Sequence, residues 1–256
     1  MNLSPRHQDI LELARQSGFL STEELTKHFK VTSQTIRRDI NELCEQGLLR
    51  RYHGGAGLAS SVENVEYSAR KVLLHEEKIR IARMVAREIP DNASLFINIG
   101  TTTEEVAKAL SEHRNLRIIT NNLNVAAMLC NNTNFEVIVA GGVVRHDRGV
   151  IGESTIDFIR QFKVDYGIIG ISGIDLDGTL LDFDYREVRV AQEIIANARQ
   201  VFLVTDHSKF NRNPMVRVCQ IAEIDALFTD RLPPEEIQAA LRVAKTRLHV
   251  ADSAGE

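Results

Sequence analysis

Apolar residues recur at helical spacing through the first fifty positions; from about position 94 they fall into short runs separated by helical stretches. At the start, Ile10, Leu13 and Ala14 form a 3.6-residue stripe behind Ser4 and Pro5, which suit a helix start, and Gly18 predicts its end. Ser21 is placed to cap a second helix, Glu24 closes a capping box with it, and Leu20 faces Leu25 as a hydrophobic staple. Leu25 and Phe29 mark the buried face of this two-turn helix. After a short Lys30–Thr32 turn, Thr32 can cap a third helix, with Val31 and Ile36 repeating the staple. Two short helices joined by about three residues have helix-turn-helix proportions.

Placed at about 100° per residue, Ile36, Ile40, Leu43 and Cys44 fall on one side of the third helix. Gln34, Arg38, Asn41, Glu42 and Glu45 fall on the other, with Thr35 and Arg37 flanking. Recognition helices meet base edges with their N-terminal residues. Arg38 can donate bidentately to guanine and Gln34 pairs with adenine, while Glu42 and Glu45 point away. Gly47 stops the helix, and the run from Leu48 to Gly55 predicts a short β-wing with two phosphate-facing arginines. The candidate DNA contacts are Ser21, Thr22, Thr32, Ser33, Gln34, Thr35, Arg37, Arg38, Arg50, Arg51 and His53. A surface three-helix bundle with solvated charges is the competing reading; the helix proportions, the polarity gradient and the wing together disfavour it.

Residues 56–67 are small and polar without periodicity and predict a hinge. An amphipathic helix follows from about His75 and ends before Pro90. Beyond it, strand runs at 94–99, 116–120, 135–140, 166–171, 201–205 and 226–229 alternate with helical stretches at 104–110, 123–130, 155–162 and 188–198. A last helix follows Pro233-Pro234. Repeated βα units predict a Rossmann-like α/β fold with a largely parallel sheet and helices on both faces. The expected division is a DNA-binding domain at 1–57, a linker at 58–74 and a sensor domain at 75–256.

Ligands of such sheets bind beyond the carboxyl ends of the strands. Those positions hold Gly100, Thr101, Thr102 and Thr103; Thr120, Asn121 and Asn122; Gly141 and Gly142; Ser172, Gly173 and Asp175; and Lys209. The Gly-Thr-Thr-Thr run offers backbone N–H groups, hydroxyls and a helix N-terminus to an anion. Lys209 can supply a point charge to a phosphate, and Asp and Asn side chains can hold hydroxyls. The inventory suits a small phosphorylated polyol. Singly, each signal has an ordinary explanation: a capped helix, a glycine turn, or a solvated loop around Asp175, Asp177, Asp182 and Asp184. His146 and His207 have no metal-spaced partners.

Composition narrows this further. With 43% hydrophobic and 26% charged residues, the chain has the balance of a globular protein, and Cys44, Cys130 and Cys219 are too scattered for a disulfide framework or zinc site. No signal peptide or membrane span is readable, so a cytoplasmic location is expected. The net charge of −4 divides unevenly: residues 1–57 carry eight Lys/Arg against seven Asp/Glu, leaving the excess acid in the rest of the chain. Arg37-Arg38 and Arg50-Arg51 concentrate the basic charge in that small head, as a site-specific DNA binder requires.

The runs Leu20 to Leu25, Thr35 to Asp39 and Arg51 to Ala56 resemble the DeoR family of bacterial transcription regulators. Leu95 to Thr102, Ile119 to Ala126, Gly170 to Asp175, Phe183 to Tyr185 and Asp206 to Phe210 resemble that family's sensor domain. The resemblance implies a winged helix-turn-helix joined to a sensor related in fold to ribose-5-phosphate isomerase and CoA-transferase-like proteins. It also implies repression of glycerol 3-phosphate uptake and catabolism genes, relieved by glycerol 3-phosphate or a related phosphorylated metabolite. Operator DNA and a homo-oligomer, dimer or tetramer, are the implied partners; no metal, cofactor or catalytic residue is expected. The competing reading is an active sugar-phosphate isomerase with Asp182, Asp184 and Glu187 as acid/base groups.

Overall fold

Helix α1 (Pro5–Ser17) starts where Ser4 Oγ accepts the His7 N–H at 3.1 Å. The computed structural model describes residues 4–17, 19–45, 48–52, 54–57 and 67–251, in two units, Met1–Leu74 and His75–Glu256. In the first unit, β1 (Phe19–Ser21) leads into α2 (Thr22–Phe29) and α3 (Ser33–Glu45), followed by β2 (Arg50–Tyr52), β3 (Gly55–Gly57) and α4 (Tyr67–Val72). The predicted capping box closes: Ser21 Oγ accepts the Glu24 N–H at 3.0 Å and Glu24 accepts the Ser21 N–H at 3.1 Å. Lys30 leaves α2 in the left-handed conformation, which turns the chain sharply into α3. Ile10, Ala14, Leu20, Leu25, Ile36, Ile40 and Leu43 form the core expected from the apolar stripes.

Two features of this unit depart from expectation. The wing has three strands in the order β1-β3-β2, the extra one being β1, paired Leu20 to Ala56. That pairing needs Gly55: a Cβ there would lie 2.0 Å from the Leu20 carbonyl oxygen. Of the stretch expected as hinge, Ala56 and Gly57 belong to β3; of the expected linker, Tyr67–Val72 is helical, and Leu73 and Leu74 pack with Phe19 and Tyr52. Gly18, Gly47 and residues 58–66 lie outside the described residues.

The second unit opens with α5 (His75–Glu88), β4 (Ser94–Ile97), α6 (Thr101–Ala109), β5 (Arg117–Thr120), α7 (Leu123–Leu129) and β6 (Glu136–Val139). A small hairpin of β7 (Val143–Val144) and β8 (Val150–Ile151) precedes α8 (Glu153–Ile159) and β9 (Val164–Ile169). Then come β10 (Gly173–Ile174), β11 (Thr179–Asp182), α9 (Tyr185–Ala196), β12 (Ala198–Val204) and β13 (Val216–Gln220). The unit ends with β14 (Ala226–Thr229), α10 (Glu235–Ala244) and β15 (Arg247–Val250).

Seven strands form a parallel sheet in the order β15-β14-β12-β9-β4-β5-β6. Alternate residues serve opposite faces. Leu95, Ile97, Ile118 and Phe202 pack with Ile81, Val106 and Leu129, whereas Phe96, Ile119 and Leu203 pack with Ile156, Ile194 and Ile237. From β4 the chain moves outward through β5 and β6, then returns to β9 on the other side of β4. The sheet therefore has its topological switch point between β4 and β9, where a crevice opens beyond the strand ends.

Candidate functional site

In the first unit the outward side of α3 carries exposed Ser33, Gln34, Arg37 and Arg38, beside exposed Thr32 and half-buried Thr35. Arg51 is exposed on the wing, Arg50 is half-buried, and His53 lies outside the described residues. Several candidate hydroxyls already have partners. Ser21 Oγ is held in the capping box, and Thr32 Oγ1 lies 2.9 Å from Thr35 Oγ1 while accepting the Thr35 N–H. Thr22 N–H donates to the Gly54 carbonyl at 2.7 Å, joining the wing turn to the start of α2. Arg38 donates to Glu42, one turn further along α3, at 3.0 Å.

Asp39 went unnoticed in the sequence. It is buried against α1, where Arg6 donates to both carboxylate oxygens and His7 Nε2 lies 3.3 Å away. Burial pushes the Asp39 carboxyl up, but the hydrogen bonds and charge of Arg6 and the His7 contact outweigh it and hold it below the usual carboxylate range. An aspartate three positions after the apolar Ile36 falls on the helix's inner side, which was the available signal.

In the second unit the predicted strand-end residues gather along the carboxyl edge of the sheet, but many have structural partners. Thr103 Oγ1 donates to the Asn98 carbonyl at 2.7 Å, and Thr120 Oγ1 donates to the Ile97 carbonyl at 2.7 Å. Asn122 caps α7 and donates to Glu104 at 3.2 Å. Gly142 and Gly173 answer to close packing: a Cβ on the first would lie 2.3 Å from Thr155 Oγ1, and on the second 2.1 Å from the Arg212 carbonyl. The Ser172 carbonyl accepts from Arg212 at 3.2 Å. Asp175 lies beyond β10 in a hairpin turn, accepting the Leu176 N–H at 2.7 Å.

What remains stands at the ends of strands on either side of the switch point. Gly100 gives α6 no side-chain cap, so the first N–H groups of the helix, at its positive end, have no side-chain acceptor from the N-cap residue. Lys78, in the first turn of α5, is buried, and its charge reaches Asp206 at the end of β12. Burial pushes the Asp206 carboxyl up, yet the charges of Lys209 and Lys78 and the Ser208 hydrogen bonds outweigh it and hold it below the usual range. Asn98 and Asn121, at the ends of β4 and β5, are 2% and 1% exposed. Neither side-chain oxygen has a hydrogen-bond partner among the described residues. Lys78 and Asn98 were missed as candidates. Lys78 occupies a core position of the α5 stripe with Ile81, Ala82 and Val85, and Asn98 interrupts an apolar strand, so both were polar residues where the pattern calls for apolar ones.

The isomerase reading fares poorly on geometry. Asp184 and Glu187 both accept from Arg145, at 3.2 and 2.6 Å, and Arg145 also bridges to Asp147 at 3.0 Å. Asp182 is buried and accepts the Phe183 N–H at 2.7 Å. Through Arg145, Asp184 and Glu187 tie the β7–β8 hairpin to the start of α9. Among the described residues no His/Cys/Asp/Glu group is arranged to hold a metal ion, and no helix is long and apolar enough to cross a membrane.

Comparison with known proteins gives two family matches: the DeoR-like helix-turn-helix domain over residues 6–62 and the DeoR C terminal sensor domain over residues 74–231. The chain is 56% identical over 242 residues to the glycerol-3-phosphate regulon repressor of Escherichia coli, covering 94% of this chain and 96% of that protein. To the repressor of the same name from Haemophilus influenzae it is 52% identical, covering 97% of each. The transcriptional repressor AccR of Agrobacterium fabrum is 36% identical over 88% of each chain. Among solved structures, ribose 5-phosphate isomerase A of Methanocaldococcus jannaschii matches at 12% identity and a TM-score of 0.40, over 54% of this chain and 55% of that one.

Proposed function

We propose that this chain, which belongs to the DeoR family of transcription regulators, represses genes of glycerol 3-phosphate uptake and breakdown and releases their operators when glycerol 3-phosphate binds. In this reading Gln34 and Arg38 read base edges, with Ser33, Thr35 and Arg37 alongside, while Arg50 and Arg51 anchor the wing on phosphates. Helix-turn-helix proteins meet paired half-sites as two-fold dimers, so the working form is a homo-oligomer on cytoplasmic operator DNA.

The observation that carries the effector reading is the uncapped N-terminus of α6 at the switch point, with buried Lys78 on the neighbouring α5. Backbone N–H groups, the helix dipole and an ammonium together suit a phosphate monoester. The relatives at 52–56% identity, repressors of a glycerol-3-phosphate regulon by name, support the choice of ester. Release requires the ligand to bind the DNA-incompetent state more tightly than the competent one. The test is operator binding by the purified chain with and without glycerol 3-phosphate. An operator affinity unmoved by millimolar ligand overturns the effector assignment, and absence of sequence-selective DNA binding overturns the repressor reading.

A further inference from the structure

Resting on that sensor reading, we propose that the side-chain amides of Asn98 and Asn121 receive the hydroxyl groups of the phosphorylated ligand and set its specificity for a polyol over a plain alkyl phosphate. Ile97 and Thr120 are register partners at the ends of the adjacent strands β4 and β5, and Asn98 and Asn121 are the residues that follow them. Asn98 follows β4, one of the two strands of the switch point, just before the turn that reaches α6, and Asn121 follows the neighbouring strand β5.

The two amides are nearly inaccessible, and each leaves its carbonyl oxygen without a donor among the described residues. Asn121 is oriented by its other end, where Nδ2 donates to the Val150 carbonyl at 3.0 Å. A buried acceptor without a donor is destabilising, so two of them on adjacent strand ends need an explanation outside the fold. Their neighbours do not supply it: Thr120 and Thr103 donate to backbone carbonyls, and Asn122 is spent on its cap and on Glu104. A hydroxyl is the complementary group, and adjacent acceptors suit adjacent hydroxyls. A phosphate at the α6 N-terminus leaves the carbon chain of a short polyol to run toward them.

The test is calorimetric titration of the full chain with glycerol 3-phosphate, n-propyl phosphate and inorganic phosphate. The propyl ester keeps the charge and carbon count but lacks hydroxyls. The wild-type chain is expected to prefer glycerol 3-phosphate over n-propyl phosphate by at least about tenfold. Asn98→Leu should bring the two within about threefold by weakening glycerol 3-phosphate alone, while the ligand-free protein melts no lower than wild type. If Asn98→Leu does not fold, Asn121→Ala is judged on the same ratio. A folded variant that keeps the wild-type preference overturns the inference, as does one that melts lower and loses all three ligands equally. A wild-type chain binding both esters equally overturns the inference but leaves the sensor reading standing. One binding none of the three phosphates brings down the sensor reading itself.

Discussion

Arg6 grips Asp39 through two hydrogen bonds, Nε to Oδ2 at 2.6 Å and Nη2 to Oδ1 at 2.9 Å, and so ties the first helix of the head to the third. The carboxylate is buried although the guanidinium is partly exposed. Removing it strands a buried arrangement that also involves His7.

Asp39→Ala should therefore destabilise the head by about 1–3 kcal/mol, read from the melting of the full chain by circular dichroism. The pH dependence follows from the depressed carboxyl. Its contribution is present above the ordinary carboxylate value and is lost as pH falls through the lower folded value. Acidifying from pH 7 toward 3 should lower the melting temperature of the wild type, and Asp39→Asn should flatten part of that decline. Parallel curves for the two proteins count against the assignment.

For the DNA surface, Arg38→Ala should reduce discrimination between operator and altered sites by about 1–3 kcal/mol. Arg51→Ala should instead weaken all sequences alike and reduce the salt slope by about one. Filter binding at several salt concentrations separates the two. The reversed pattern would exchange the reader and the anchor.

At the sensor crest, Lys78→Met should weaken glycerol 3-phosphate about tenfold to a hundredfold while leaving operator binding in place. A cell carrying it should repress whether or not the ligand is supplied. Retained ligand affinity in calorimetry would remove Lys78 from the phosphate site. Because the variant takes one positive charge away from Asp206, its stability near neutral pH should fall and its further loss on acidification should be smaller than that of the wild type.

The cysteines offer a check on burial. Cys219 is buried, and burial with Glu223 nearby pushes its thiol up to about 12, while Cys130 is exposed. In the native protein at pH 8, a thiol reagent should label Cys130 quickly and Cys219 only after denaturation. Fast labelling of Cys219 would show that the sheet of β10, β11 and β13 opens readily.

What could be read in advance depended on the range of the interaction. The Ser21–Glu24 capping box is complete within four residues, and the βα alternation repeats its period often enough to place the strand ends. Strand β1 was invisible because three residues carry no period and their partner is Gly55, more than thirty positions away. The β7–β8 hairpin and β10 are two-residue strands with the same difficulty. At the candidate site, position was legible but availability was not. Nothing local to Thr120 or Asn122 says that the carbonyl of Ile97 and the carboxylate of Glu104 will occupy them. Lys78 was legible in principle, since a lysine within an apolar stripe is an anomaly on its face.

The Arg38–Glu42 pair bears on how the protein finds its target. A surface pair four residues apart on a helix contributes only about 0.3–0.5 kcal/mol, less than the 1–3 kcal/mol or so of a bidentate guanine contact. If Arg38 faces DNA as proposed, the helix would offer random stretches of a genome a nearly neutral couple in place of a bare cation, and its grip there would be looser. Only where a guanine stands in register does exchanging Glu42 for the base run downhill. With Arg38 as the proposed reader, the protein would move lightly along the wrong sequences and dwell on the right one, its arginine held by Glu42 between sites.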